Sequence, residues 1–228
     1  MNQLNLESID TDGALRDTAE ATGLDRGAFL KKSALAGGGL VAGGAFFSHL
    51  GPAEAAISRR KSRTNDKRIL NFALTLEFLE AEFYRLAVAN RAFGTNPQLQ
   101  RFTEVVARHE AQHVRFLRKA LGRSAVRKPT FDFGAAVTDP ATFARTSQVL
   151  EDTGVSAYLG QAANIFQGPI LTAAATILTV EARHAAWIRF ILEPADPTTP
   201  VPALPSPRTF DRPASERRTL RKAAPFIK

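Results

Sequence analysis

Four long stretches of this sequence place apolar residues at the three- and four-residue spacing of one helical face, and each of these faces also carries a glutamate. The four glutamates are Glu77, Glu110, Glu151 and Glu181. Charged side chains usually lie on the solvent side of a helix, and a carboxylate without a partner in a core is strongly unfavourable. The pattern therefore restricts the chain to folds that bring the four carboxylates together with compensating positive charge.

Proline, glycine and capping residues predict where four helices begin and end. The helices cover residues 65–93, 97–121, 140–166 and 169–192, each about 25 residues or about 37 Å long. Asn96 and Asp139 are suitable N-caps, and each precedes a proline that suits the first helical turn. Two connections are short and the third, residues 122–138, is long. We expect an all-α fold, a four-helix bundle with a long crossover between its second and third helices.

Two of the four glutamates are followed by a histidine on the same helical face. His113 lies three residues after Glu110, and His184 lies three residues after Glu181. The chain contains no cysteine, so a metal site must use carboxylate, imidazole or other oxygen ligands. Two divalent cations would balance four carboxylate charges, and a mixed oxygen and imidazole ligand set suits iron or manganese. The residues therefore predict a site for two metal ions.

The same spacing occurs in both halves of the predicted bundle. Glu77 precedes Tyr84 by seven residues, Glu151 precedes Tyr158 by seven, and the chain has no other tyrosine. The glutamate that begins the Glu-x-x-His pair follows after 33 residues in the first half and 30 residues in the second. One such pair is common by chance, but two with matching partners are a strong signal. Exposed i,i+3 pairs are the alternative, and the flanking apolar residues argue against it.

With these motifs the chain resembles the ferritin-like superfamily, whose di-iron carboxylate pattern would extend over about residues 65–192. The stretches ILNFALTLEFLEAEFY and RHEAQH, and the tail PSPRTFDRP…APFI, are most similar to the exported ferritin-like-domain family, which includes bacterial secreted proteins and plant desiccation-related proteins. The resemblance implies a role for each motif residue: Glu77 and Glu151 as single ligands, Glu110 and Glu181 as bridges between the metals, His113 and His184 as the ligands that complete each side, and Tyr84 and Tyr158 as hydrogen-bond donors beside the ligands.

Two residues near the motifs require a separate interpretation. Glu80 lies one helical turn after Glu77 and competes with it as a ligand, but only Glu77 has the spacing to a tyrosine that Glu151 repeats. His109 adjoins Glu110 but falls off the apolar face, so we expect it at the surface rather than in the metal site.

Residues 1–55 have the features of an export signal. RGAFLKK resembles the twin-arginine motif, although Gly27 replaces the second arginine and leaves the export route open. An apolar, glycine-rich stretch follows, and AEA at residues 53–55 has the small-x-small form of a cleavage site. A membrane anchor is less favoured because the apolar stretch is shorter than the ~20 residues of a span. We expect cleavage after Ala55 and a location in the periplasm, the cell envelope or outside the cell.

The rest of the chain is strongly basic. Of the 30 Lys and Arg and the 22 Asp and Glu, residues 1–55 hold four and seven, which leaves a net charge of +11 on residues 56–228. Residues 56–64 form a basic linker, residues 65–192 the predicted bundle, and residues 193–228 a Pro-rich arm in which ASERRTLRKA predicts one short helix. No module combines basic with aromatic residues, so nucleic acid is not an expected partner.

The sequence predicts an exported protein that binds two iron or manganese ions. Its expected partners are these metal ions, dioxygen or peroxide, the export machinery and a second copy of the chain in a homodimer. Fe(II) oxidation, peroxide removal and a catalase reaction, each in stress protection, are all compatible with the site. The alternative is a non-catalytic stress, desiccation-related or envelope protein built on the same bundle, and the residues alone do not decide between an enzyme and this alternative.

Overall fold

The computed structural model describes residues 56–192 and 205–228. The predicted export signal and the first part of the Pro-rich arm, residues 193–204, lie outside the described residues. The described residues form five α-helices and no strand: α1 Arg63–Asn90, α2 Pro97–Leu121, α3 Pro140–Ala162, α4 Gly168–Leu192 and α5 Glu216–Ala223. None of these five helices is both long and apolar enough to cross a membrane.

The four long helices form a bundle. α1 packs against α2 and α3, and α4 packs against the same two helices. Six residues join α1 to α2 and five join α3 to α4, whereas 18 residues separate α2 from α3. The predicted all-α bundle, with its long crossover between the second and third helices, is confirmed.

The helices α2 and α3 start at the caps that the sequence predicts. Asn96 Oδ1 accepts hydrogen bonds from the backbone N–H groups of Gln98 and Leu99, and Asp139 Oδ1 accepts one from that of Thr142. A proline follows each cap, at a position where the helix needs no N–H donor. The caps fix where each helix enters the bundle and therefore which face carries its core glutamate.

The end of α3 comes four residues earlier than predicted. Asp66, buried near the start of α1, accepts hydrogen bonds from the backbone N–H groups of Phe166 and Gln167 at 2.7 and 3.1 Å. These bonds draw the chain out of helical geometry after Ala162, because a carboxylate from another helix now satisfies the N–H groups. The apolar pattern continues to residue 166, so local spacing could not reveal this end.

The end of α1 is also earlier than residue 93. Arg91 has a left-handed conformation with φ 55°, which stops the helix at Asn90. The next N–H, of Ala92, bonds to the Ala87 carbonyl oxygen at 2.9 Å, a common way to close the last helical turn.

The crossover between α2 and α3 and the C-terminal segment, residues 205–228, cover one end of the bundle. Phe133 of the crossover packs against Phe83 of α1 and Phe226 of the C-terminal segment, with ring centroids 5.3 and 5.5 Å apart. The backbone N–H of Asp132 also donates to the Phe226 carbonyl oxygen at 2.9 Å. These aromatic rings separate this end of the core from solvent.

The C-terminal segment also lies directly on α3. The Ala214 N–H donates to the Ser156 carbonyl oxygen at 2.8 Å, and the Ala214 backbone fills the space that a side chain at Gly160 would need. Glycine at position 160 therefore permits this close approach. The segment continues into α5, the short helix that the sequence predicts, and this cover lies on the helix that carries Glu151 and Tyr158.

Candidate metal centre

The four predicted core glutamates meet inside the bundle, one from each long helix. Glu77 of α1, Glu110 of α2, Glu151 of α3 and Glu181 of α4 have no exposed surface. Each lies on the apolar stripe of its helix, as the sequence predicts, so bundle formation alone brings the four carboxylates together. Their histidine partners approach from α2 and α4.

The first cluster, here called the His113 subsite, consists of Glu77, Glu110, His113 and Glu181. Each residue offers one ligand atom, and these atoms lie within 4.8 Å of one another. His113 Nδ1 lies 3.2 Å from Glu77 Oε2, 3.1 Å from Glu110 Oε2 and 3.2 Å from Glu181 Oε1. One imidazole nitrogen thus faces oxygens from three different helices.

The second cluster, here called the His184 subsite, consists of Glu110, Glu151, Glu181 and His184, again within 4.8 Å. His184 Nδ1 lies 3.2 Å from Glu151 Oε2 and 3.2 Å from Glu110 Oε1. The two subsites share Glu110 and Glu181. The sharing gives these two carboxylates a central position between the subsites.

The two tyrosines donate across the bundle rather than along their own helices. Tyr84 of α1 donates to Glu151 Oε1 of α3, and Tyr158 of α3 donates to Glu77 Oε1 of α1 at 2.5 Å. Tyr84 therefore holds a carboxylate oxygen of the His184 subsite, although its own helix α1 contributes no glutamate to that subsite. Tyr158 of α3 does the same for the His113 subsite. The predicted position of both hydroxyls beside the glutamates is observed, and the crossed pairing is new.

The shared glutamates have buried oxygens without partners. Among the described residues, Glu181 Oε2 has no hydrogen-bond partner, and Glu181 Oε1 and Glu110 Oε1 each lie 3.2 Å from a histidine Nδ1 without the geometry of a hydrogen bond. Buried carboxylate oxygens without donors or cations are strongly unfavourable. A cation in each subsite would contact these oxygens, and the oxygen-rich set with one imidazole per subsite suits iron or manganese. The residues present therefore fit a metal centre.

Burial and mutual repulsion oppose ionisation of three of the glutamates in the metal-free chain. Burial, with the neighbouring Glu110 charge, raises the pKa of Glu77 to about 8. The same two causes raise the pKa of Glu181 well above its ordinary value, and burial raises the pKa of Glu151. Protons on these carboxyl groups therefore reduce the negative charge when no cation is bound.

Glu110 and the two histidines behave as an ion-paired group. Burial works against the Glu110 charge, but the imidazoles of His113 and His184, each within about 3.2 Å of a Glu110 oxygen, outweigh it and lower the pKa of Glu110 to about 2. Burial also works against the His184 charge, yet Glu110 and Glu151 raise the pKa of His184 to about 10. The pKa of His113 rises for similar reasons. Metal binding at this centre must therefore displace protons.

A fifth carboxylate, Glu80, lies beside the centre. It is only 3% exposed, and burial together with the Glu181 charge raises its pKa well above the ordinary value. Neither subsite includes it, whereas Glu77 belongs to the His113 subsite. Gly154 makes room here, because a Cβ at this position would lie 2.8 Å from Glu181 Oε2 and 3.4 Å from Glu80 Oε1. In the sequence, only the spacing of one helical turn from Glu77 indicated that Glu80 would lie near the centre.

His109 is at the surface, as predicted, but it touches the site from outside. Its Nδ1 lies 2.9 Å from His184 Nε2, and the two rings are nearly parallel, 20° apart, with centroids separated by 5.1 Å. Helical spacing placed His109 off the core face and gave no signal for this contact, which depends on how α2 packs against α4.

A sequence model of the ferritin-like domain family matches residues 65–194. The match covers more than half of the chain and includes both subsites and both tyrosines. No curated protein matches the sequence.

Proposed function

The chain belongs to the ferritin-like domain family, and on that premise we propose that its buried centre binds two iron or manganese ions that react with dioxygen or peroxide. One observation carries the proposal: the two subsites overlap in Glu110 and Glu181, whose oxygens are fully buried and partly without partners. A single cation in one subsite would leave the carboxylates of the other to be compensated by protons and histidine alone. Four carboxylate charges match two divalent cations.

The protein residues would position and isolate the reacting groups. Glu110 and Glu181 would set the separation of the two ions, since both belong to both subsites. The Nδ1 atoms of His113 and His184 would face one ion each. Paired iron or manganese ions, when bound, supply two-electron chemistry with dioxygen or peroxide.

The tyrosine hydroxyls would keep the outer glutamates in place. Each donates to one oxygen of Glu77 or Glu151 and leaves the other oxygen directed at a histidine Nδ1. The carboxylate therefore enters the centre with its orientation already fixed, which reduces the reorganisation that metal binding requires.

Elemental analysis of the purified full-length chain tests the proposal. After reconstitution with Mn(II) or Fe(II) we expect about two metal ions per chain. The variant Glu110→Gln with Glu181→Gln should lose them, because both subsites lose two carboxylate charges. The matched control is Glu82→Gln with Glu104→Gln, two glutamates of α1 and α2 that belong to neither subsite. Fewer than one metal ion per two wild-type chains would overturn the proposal.

A reaction assay follows on the same samples. We expect the metal-loaded wild type to accelerate Fe(II) oxidation or peroxide consumption, measured by absorbance, and the double glutamine variant to match the protein-free rate. A loaded wild type that accelerates neither reaction would limit the proposal to metal binding.

A non-catalytic stress or envelope role is the second candidate, and the charge balance of the metal-free centre favours it. His113 and His184 pair with Glu110, and protons on the other glutamates reduce the remaining charge, so the core is compatible with a stable bundle without metal. Desiccation survival of cells that carry the double glutamine variant tests it. Unchanged survival would support this role, and lost survival with a folded variant would reject it.

We also propose that residues 1–55 direct export. The proposal rests on the sequence features of that segment, which lies outside the described residues. Cell fractionation with N-terminal sequencing tests it, and we expect a mature chain beginning at Ala56 in the periplasm, envelope or medium. A full-length chain in the cytoplasm would contradict it.

A further inference from the structure

His184 uses its two ring nitrogens in opposite directions. Nδ1 faces the oxygens of Glu110 and Glu151 inside the centre, and Nε2 faces His109 Nδ1 at 2.9 Å on the outside. We propose that His109 is a positioning residue for the His184 subsite: it accepts a hydrogen bond from His184 Nε2–H, keeps Nδ1 free to bind metal, and makes this subsite the tighter of the two. The inference rests on the two-metal function proposed above.

The direction of the hydrogen bond follows from imidazole chemistry. A neutral imidazole has one N–H and one lone pair, so a ring that binds metal through Nδ1 must carry its proton on Nε2. An acceptor opposite Nε2 favours this tautomer, and His109 Nδ1 is placed to be that acceptor. Removing such an outer partner typically weakens metal binding by about 10- to 100-fold.

The geometry also restrains rotation of the His184 ring. The two rings lie within 20° of parallel, and His109 comes from α2 while His184 comes from α4. A rotation of His184 that turned Nδ1 away from Glu151 would break the contact with His109. The pair therefore connects the packing of two helices to the orientation of one ligand nitrogen.

The His113 subsite has no equivalent support. The position that corresponds to His109, one residue before the Glu-x-x-His pair of α4, is Val180. Among the described residues, all hydrogen-bond contacts of His113 involve Nδ1, and no side chain pairs with its Nε2. The His113 side chain is also 12% exposed, against 3% for His184. The two subsites thus have matching ligands and unequal support.

Nuclear magnetic resonance of the metal-free, full-length chain with ¹⁵N-labelled histidine tests the hydrogen bond itself. We expect a scalar coupling across the hydrogen bond between His184 Nε2–H and His109 Nδ1, which both the neutral tautomer and the cation of His184 allow. The coupling should disappear in His109→Leu. A wild type without this coupling, at a temperature where the other ring protons are observed, would overturn the inference.

Mn(II) titration followed by electron paramagnetic resonance of the free ion tests the effect on affinity. In the wild type we expect two unequal equivalents. His109→Leu should weaken the tighter one by about 10- to 100-fold and change the other by less than about twofold. His109→Asn keeps an acceptor at the δ position and should restore most of the affinity. Gln112→Leu, an exposed change on the same helix, is the matched control and should leave both equivalents unchanged.

The outcomes separate this inference from the proposed function. Two equivalents of unchanged affinity in His109→Leu would overturn the inference and leave the two-metal proposal intact. Equal weakening in the Leu and Asn variants would overturn the role of the hydrogen bond. A wild type that binds fewer than one Mn(II) per two chains would overturn the two-metal proposal, and with it the difference between subsites.

Discussion

The two halves of the bundle, α1 with α2 and α3 with α4, supply the same ligand types in different surroundings. Each half contributes a glutamate, a tyrosine seven residues later and a Glu-x-x-His pair. Two equivalent positions next to the ligands differ in a way that bears on the centre. Three residues after the first glutamate, α1 has Glu80 and α3 has Gly154; one residue before the second, α2 has His109 and α4 has Val180.

The repeated motif brings the same groups together in both halves, and we expect the residues around it to give the two subsites different properties. Gly154 leaves the space in which the Glu80 and Glu181 carboxylates lie. His109 contacts the histidine of one subsite only. Because the ligands match but their neighbours differ, we expect the two ions to bind with different affinities. Substitutions at the shared glutamates, at the tyrosines and at Gly154 should distinguish the two subsites.

The largest effect is expected from the glutamates that both subsites share. Glu110→Gln keeps the size of the side chain and removes its charge, so both Mn(II) ions should bind more than about 100-fold more weakly, beyond the effect typical of residues outside the ligand set. Glu77→Gln should weaken mainly the ion of the His113 subsite. The Mn(II) titration measures both equivalents, with Glu82→Gln on α1 as the control.

Which of the two Mn(II) equivalents each variant loses tests the overlap of the subsites more directly than the size of the loss. If Glu110→Gln and Glu77→Gln each removed the same single equivalent, the overlap of the two subsites would be wrong. A folded Glu110→Gln that still bound both ions with wild-type affinity would remove Glu110 from the centre altogether.

The next largest effect is expected from removing the tyrosine hydroxyls that donate to glutamates on the opposite half of the bundle. Tyr84→Phe leaves Glu151 Oε1 without its donor, and Tyr158→Phe does the same to Glu77 Oε1. Each loss of a buried hydrogen bond to a carboxylate should lower the free energy of unfolding by about 1.5–3 kcal/mol. Urea denaturation measures this in the metal-loaded chain.

The tyrosine variants also distinguish the subsites. In the Mn(II) titration, Tyr84→Phe should weaken the His184 subsite although Tyr84 lies on α1, and Tyr158→Phe should weaken the His113 subsite although Tyr158 lies on α3. His109→Leu identifies which equivalent belongs to the His184 subsite. Weakening of the subsite on the same half as the tyrosine would contradict the crossed arrangement.

The extent to which the sequence predicts this centre follows from the range of each interaction. The apolar stripes and the Glu-x-x-His spacing are local, and they predicted the bundle and placed four glutamates and two histidines in its core. The tyrosine pairing is not local. Tyr84 donates to Glu151 of α3, and Tyr158 donates to Glu77 of α1. The seven-residue spacing within one helix could not name a partner on another helix.

The features that the sequence did not predict depend on packing between helices. His109 is off the core face by any helical count, and only the approach of α2 to α4 brings it to His184. The early end of α3 likewise depends on Asp66, 100 residues before Phe166. For Glu80 the tyrosine spacing already favoured Glu77 as the ligand, and the structure keeps Glu80 out of both ligand clusters although it lies beside Glu181 near Gly154.

The third expected effect is a pH dependence that metal removes. Glu77, whose pKa rises from 4.5 to about 8, and His184, whose pKa rises from 6.5 to about 10, hold protons more strongly in the folded chain than in the unfolded chain. Their contributions to stability are complete below pH 4.5 and 6.5 and are lost as pH rises through about 8 and 10. Metal-free protein should therefore lose stability between pH 5 and pH 10, by about 5 °C or more in Tm.

Bound metal should change this dependence, because ligands bind deprotonated and metal binding strengthens as pH rises. The stabilisation by excess Mn(II), measured by calorimetry, should be larger at pH 8 than at pH 6. Glu110, with a pKa lowered to about 2, loses its contribution only as pH falls towards that value and does not act in this range. A metal-free Tm that rises from pH 5 to pH 10 would contradict the charge balance proposed for the centre.

The smallest effect on metal affinity and stability is expected at Gly154, whose equivalent in the first half is the much larger Glu80. Gly154→Ala would place a Cβ 2.8 Å from Glu181 Oε2, the mobile end of a side chain, so Glu181 should shift rather than the helix unfold. Alanine also favours a helix over glycine by about 1 kcal/mol, so the stability of the metal-free chain should change by less than about 1 kcal/mol. The shift of a ligand shared by both subsites should weaken both Mn(II) equivalents by about 10-fold.

Ser156→Ala, on the same helix, is the control for helix propensity and should leave both Mn(II) affinities unchanged. Together the two variants separate the packing of α3 from the position of Glu181. If Gly154→Ala weakened only one equivalent, Glu181 would serve one subsite rather than both. If it lowered stability by several kcal/mol with metal affinity intact, the space beside Gly154 would matter for the packing of α3 and not for the ligands, and the difference between Glu80 and Gly154 would have no bearing on the metal centre.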